Sequence, residues 1–177
     1  MGDVTLHLPD STWTAIQEHL LPKKARFEEA AFIFAAVEET PSAIDLQAIE
    51  WYPVPPDGFD VQSPRFLQLT DEIKARMIKR AHDLQAALIE VHSHPGQAVA
   101  AFSPSDLSGF EEVVPHVRWR LKARPYAAVV VANQTFDAFT WTGKETQARP
   151  LHALVADGKH FHPTRATLLG RGTYGSR

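Results

Sequence analysis

Apolar and polar positions along the chain fall into segments of two periodicities. Residues 4–8 alternate and predict a short strand, after which Asp10 or Ser11 is placed to cap a helix reaching residue 21, with Pro22 ending it. Residues 27–37 are almost continuously apolar and rich in Phe and Ala, the pattern of a strand buried on both faces. Residues 43–54 alternate through Ile44, Leu46, Ala48 and Trp51 and predict a hairpin partner across residues 38–42. The proline-rich segment 53–58 predicts a loop, and 66–69 another short strand. Thr70 is placed to cap a helix over 71–84, whose stripe is Ile73, Met77, Ile78 and Ala81. A buried strand is expected at 86–91. A further helix should open at Pro104 and run to about residue 114, with Pro115 kinking or restarting it. Residues 126–132 and 135–141 predict a hairpin around Asn133 and Gln134, and 151–155 one more strand. The expectation is a single α/β domain over 1–165, a mixed central sheet flanked by helices, followed by a flexible tail over 166–177 that frays from Gly170.

Composition narrows the chemistry. The 177 residues are 44% hydrophobic and 22% charged, which suits one globular domain with its own core and excludes a disordered or fibrous chain. A formal net charge of −3 offers no basic surplus for nucleic acid. The one basic run, 118–124, reads first as a solvated face closing a helix and second as a docking patch for a protein partner. The chain has no cysteine, so disulfides, a thiol nucleophile and any thiolate-bound zinc are excluded. No apolar run is long enough for a membrane span, and the segment after Met1 lacks the basic and apolar regions of a signal peptide. A cytoplasmic protein without nucleic-acid or membrane partners is expected. Gly2 is not read as a lipidation site.

The informative stretch follows the strand expected at 86–91. His92 and His94 stand at i and i+2, so a strand aims both imidazoles at one face. After eleven intervening residues comes Asp106, in the first turn of the expected helix. Two histidines and an aspartate give three ligands and leave a tetrahedral position for water, the arrangement of a catalytic rather than a structural zinc. Capping alone also explains part of the pattern, with Ser103 as N-cap, Pro104 at N1 and Asp106 at N3. The two explanations are compatible. A second His-x-His-Pro string, His160 to Pro163, has no acidic residue after it and reads as incidental.

His92-Ser93-His94-Pro95, a loop, then Ser103-x-x-Asp106 resembles the signature of the JAMM (MPN+, or JAB) zinc metallopeptidases. With the upstream strand and helix the resemblance spans roughly residues 25–142. It implies an MPN domain with a cytidine-deaminase-like architecture and one zinc ion per chain on His92, His94 and Asp106. The family also uses a glutamate before a small-apolar strand. Glu29 matches best, because Ala30 and Ala31 follow it directly, with Glu28 in reserve. By that resemblance Glu29 is the general base, Ser103 donates to the oxyanion, and Ser93, on the opposite face, packs or supports the ligands. Two departures are visible. The loop between His94 and Asp106 is one residue longer than members commonly have, and Ala31, Phe32 and Ala35 stand where glycines are common.

The implied substrate is an amide or isopeptide bond at the C-terminus of a ubiquitin-like protein. The implied partners are ubiquitin-activating or -conjugating proteins of bacterial ubiquitin-like operons, some of them antiphage. The rival readings are a non-catalytic MPN scaffold that binds partner proteins, and a metal-dependent hydrolase of small peptides or sulfur-carrier conjugates.

Overall fold

The computed structural model describes residues 2–174, with side chains through residue 170. The elements in chain order are β1 (Asp3–Leu8), α1 (Asp10–Leu20), β2 (Ala30–Glu39), β3 (Ala43–Pro53), β4 (Phe59–Gln62) and β5 (Leu67–Leu69). They continue with α2 (Asp71–Asp83), β6 (Ala87–Ser93), α3 (Pro104–Arg120), β7 (Tyr126–Ala132) and β8 (Thr135–Trp141). Last come β9 (Arg149–Pro150), β10 (Ala153–Ala156), β11 (Lys159–Phe161) and α4 (Ala166–Tyr174).

Nine strands form one mixed sheet in the order β11-β10-β1-β3-β2-β6-β7-β8-β9, and β4 and β5 form a separate two-stranded sheet. The fold is α/β, a large mixed sheet with few helices. Its centre explains the unbroken apolar run at β2. Ala31, Ile33 and Ala35 face a core shared with Trp13, Ile16 and Leu20 of α1. Ala30, Phe32 and Phe34 face a second core with Ile73, Met77 and Ala81 of α2 and Val114 and Val117 of α3. A strand covered on both faces has no position that favours a polar side chain.

β6 runs parallel to β7, and α3 is the crossover between them. β2 runs antiparallel to β6, with Ala30 opposite His92. The start of β2 therefore meets the end of β6, close to where α3 begins.

Several boundaries differ from expectation. β2 starts at Ala30 rather than 27, and Phe27 is exposed. α1 has Pro9 at its N-cap and no side-chain cap, while the Asp10 N–H donates to Asp157 Oδ2 at 3.0 Å. α3 does not stop at residue 114 but continues through Pro115 to Arg120. Pro115 lies on the solvent side, where the carbonyl freed by its missing N–H can turn to water. In the basic run, Arg118 donates to the Gly143 and Glu145 carbonyls and Arg124 to Ala86 O, so both bind backbone. The tail expected from residue 166 is helix α4 as far as Tyr174; residues 175–177 of that tail lie outside the described residues. Among the described residues no helix is long and apolar enough to cross a membrane.

Candidate metal centre

His92 lies near the end of β6 and His94 directly follows the strand, each 3% exposed, on the α2/α3 side of the sheet. His92 is fixed between Ala30 of β2 and Val130 of β7, and the His94 N–H donates to Val131 O at 2.9 Å. The two Nε2 atoms stand 3.2 Å apart.

Asp106 enters from the first turn of α3. Ser103 is the N-cap: its Oγ accepts from the Asp106 N–H at 3.2 Å, and its own N–H donates to Asp106 Oδ2 at 2.7 Å. This reciprocal cap holds the carboxylate so that Oδ1 lies 3.4 Å from His92 Nε2 and Oδ2 3.3 Å from His94 Nε2. The capping and ligand readings of Asp106 thus describe one side chain in one conformation. The Ser103 hydroxyl also shares a hydrogen bond with Ser105 Oγ at 3.0 Å.

The acidic residue beside the histidines is Glu28, not the expected Glu29. Glu28 is 3% exposed, and its Oε1 lies 3.5 Å from His94 Nε2. Strand parity decides between the two. Glu28 shares the face of Ala30, Phe32 and Phe34, which is also the face of His92. Glu29 points to the other side, toward His19 of α1 and Gln62. Ser93, on the opposite face of β6 as expected, fixes this arrangement: its Oγ accepts the Glu29 N–H at 3.0 Å, and its own N–H donates to Glu29 O at 3.0 Å. The Glu28 N–H donates to Ser63 O at 2.9 Å, and Gln62 Nε2 donates to Glu28 O at 2.9 Å. The missing sequence signal was the phase of β2 against β6, which needs the pairing register.

The electrostatics favour a cation at this point. Burial pushes the Glu28 carboxyl above its ordinary value, and the neighbouring histidines only partly offset this. Burial also opposes ionisation of Asp106, yet hydrogen bonds and charge from His92 and His94 outweigh it and hold that carboxyl far below the usual carboxylate range. Burial opposes a charge on His92, but Asp106, Glu90 and Glu28 together leave its pKa raised. Two carboxylates around two imidazole nitrogens call for positive charge, which a proton or a metal ion can supply. The buried Glu28, His92 and His94 can hold a metal ion, their donor atoms all lying within 4.8 Å of one another. His94 Nδ1, facing away from this point, is buried with no hydrogen-bond partner.

A cleft of about 380 Å³ opens beside His92 and Asp106. Phe66, Leu67 and Leu69 of the β5 region form one wall, Phe110 and Val113 of α3 the other. In its floor the Tyr126 hydroxyl donates to Glu90 Oε2 at 2.7 Å, and burial together with Glu90 pushes that phenol well above its ordinary pKa. The second His-x-His pair is elsewhere. His160 and His162 are exposed at and after β11, with no ion pair among the described residues.

No family model matches the sequence, and no curated protein does. Among solved structures, the STIL N-terminal domain of Trichoplax adhaerens is similar at 7% identity and a TM-score of 0.34, over 73% of this chain. The match covers 37% of that chain, and a likeness this distant carries no functional argument.

Proposed function

We propose that the chain is a zinc-dependent peptidase of the JAMM (MPN+) type, with zinc on His92, His94 and Asp106 and with Glu28 as general base. The observation that carries this reading is the convergence of two imidazoles and one carboxylate on one point. The imidazole Nε2 atoms stand 3.2 Å apart and the Asp106 carboxylate spans them, Oδ1 3.4 Å from His92 Nε2 and Oδ2 3.3 Å from His94 Nε2. Donors bound at ~2.0–2.1 Å to one tetrahedral zinc stand about 3.3 Å from one another. Spacings near this value suit three groups that share one ion. The donor set, two imidazoles and one carboxylate without thiolate, is that of catalytic zinc sites, which keep one position for water.

His92, His94 and Asp106 would hold the zinc, which would supply a water of lowered pKa and a Lewis acid for the scissile carbonyl. Glu28 takes a proton from the attacking water and returns it to the leaving amine. Its pKa, raised by burial, brings it closer to the working pH of a proton carrier. Ser103, at the N-terminus of α3, directs its hydroxyl to the developing oxyanion, where the helix end favours negative charge.

The substrate we propose is the C-terminal amide or isopeptide bond of a ubiquitin-like protein. Among the described residues β5 pairs with β4 alone, which leaves its other edge beside the cleft. An extended tail can add there as a strand and present its terminal carbonyl to the metal.

The test is cleavage of ubiquitin-like fusions by the zinc-loaded protein. Cleavage should be abolished by a chelator, and Glu28→Gln should lower the rate at least ~10²-fold with zinc still bound. Hydrolysis that ignores the chelator, or a fully active Glu28→Gln protein, would overturn the assignment.

A further inference from the structure

The loop from His94 to Ser103 must return Asp106 to the histidines, yet residues 96–99 of it are exposed. What fixes the loop comes from the far end of the chain. The Ala100 N–H donates to Thr135 Oγ1 at 2.9 Å, and Ala100 O accepts from Thr164 Oγ1 at 2.7 Å. The Phe102 N–H, one residue before the N-cap of α3, donates to Thr167 Oγ1 at 2.9 Å. Thr167 is 5% exposed and lies in the first turn of α4.

Behind Thr167 stands Asp137 of β8, 1% exposed. Its Oδ2 accepts from Thr167 Oγ1 at 2.5 Å and from the Thr167 N–H at 3.1 Å. Its Oδ1 accepts from the Arg165 N–H at 3.2 Å and the Ala138 N–H at 3.0 Å. A carboxylate only accepts, so the Thr167 hydroxyl proton is committed to Asp137 and its lone pairs face Phe102. The hydroxyl thus has one orientation. The ring of Phe102 then stacks on Phe139 at 5.3 Å and lies 6.0 Å from the ring of His92.

We infer that Thr167 is a positioning residue for the metal centre. Through Phe102 it sets where α3 starts, and so where the Ser103–Asp106 cap places its carboxylate. Docking of α4 and binding of metal are then coupled, and by linkage each strengthens the other. This inference rests on the metal reading proposed above and adds to it: Thr167, at the start of α4, is part of the site.

The experiment measures zinc affinity by chelator competition, with amide hydrogen exchange on the wild-type chain. Thr167→Val keeps the shape but loses both hydroxyl bonds, and should weaken zinc binding about tenfold. Thr167→Ser, which keeps the hydroxyl, should restore it. A role confined to fold stability would lower the melting temperature of Thr167→Val and leave the affinity of the folded protein unchanged. In the wild-type chain, zinc should slow exchange at the Phe102 and Thr167 amides, a readout that needs no variant. Wild-type affinity in folded Thr167→Val, or exchange at both amides indifferent to zinc, overturns the inference while leaving the metal site standing. A wild-type chain that takes up no zinc overturns the metal reading, and this inference with it.

Discussion

Glu28 and Glu29 are neighbours in sequence with opposite fates, because successive side chains on an extended segment face opposite ways. Glu28 is buried against His94, while Glu29 is half-buried toward α1. The two positions separate by experiment. Glu29→Gln should leave the hydrolysis rate within a few-fold of wild type, whereas Glu28→Gln should remove it. Stability should move the other way. Burial raises the Glu28 carboxyl in the folded chain, so between the unfolded and folded values the native state binds the extra proton. Stability therefore falls as pH rises through that window and stays lower at neutral pH. Glu28→Gln removes the cost, so the metal-free variant at pH 7 should melt at or above the wild-type temperature. A lower melting temperature contradicts the placement of Glu28 as a strained, functional carboxylate.

At the scale of elements, what was legible followed from pattern strength. α2 was readable because Thr70 caps it, with its Oγ1 accepting the Ile73 N–H, and four apolar residues share its stripe. The hairpin of β7 and β8 was readable from two apolar runs separated by Asn133 and Gln134. The His92–His94 pair and Asp106 could be placed because a strand followed by a capped helix is a local pattern. β4 could not, although Phe59 and Val61 alternate with Asp60 and Gln62 between Gly58 and Ser63, because four residues are too few for a period of two to stand out. α4 could not either, because the acceptor for its first N–H groups is Asp137, roughly thirty residues away in sequence. Glu28 ranked behind Glu29 for the same reason: its face is set by pairing with β6, a long-range fact. Ser93 tests how far the junction of β2 and β6 controls the site. Ser93→Ala leaves the buried side of the Glu29 N–H without its acceptor, which should cost about 1–3 kcal/mol in urea unfolding. It should also slow hydrolysis by loosening Glu28. An unchanged unfolding midpoint would show that the Ser93 bond does not hold this junction.

For the whole molecule, the sheet order places the site at the C-terminal end of a parallel strand. There α3 leaves β6 to cross over to β7, and antiparallel β2 brings in its first residues. Strand ends of this kind present diverging loops above a rigid sheet, which is where α/β folds commonly build their ligand sites. Four segments far apart in sequence meet at this point: residue 28, residues 92–94, residues 103–106 and, one layer behind, residue 167. Metal content, with zinc affinity, tests the account most directly, since the proposed chemistry depends on an ion between His92, His94 and Asp106. Purified wild-type protein dialysed against zinc should retain one equivalent per chain, and His92→Ala and His94→Ala should each retain far less while still folding. Equal zinc in all three proteins, or none in the wild type, would contradict it.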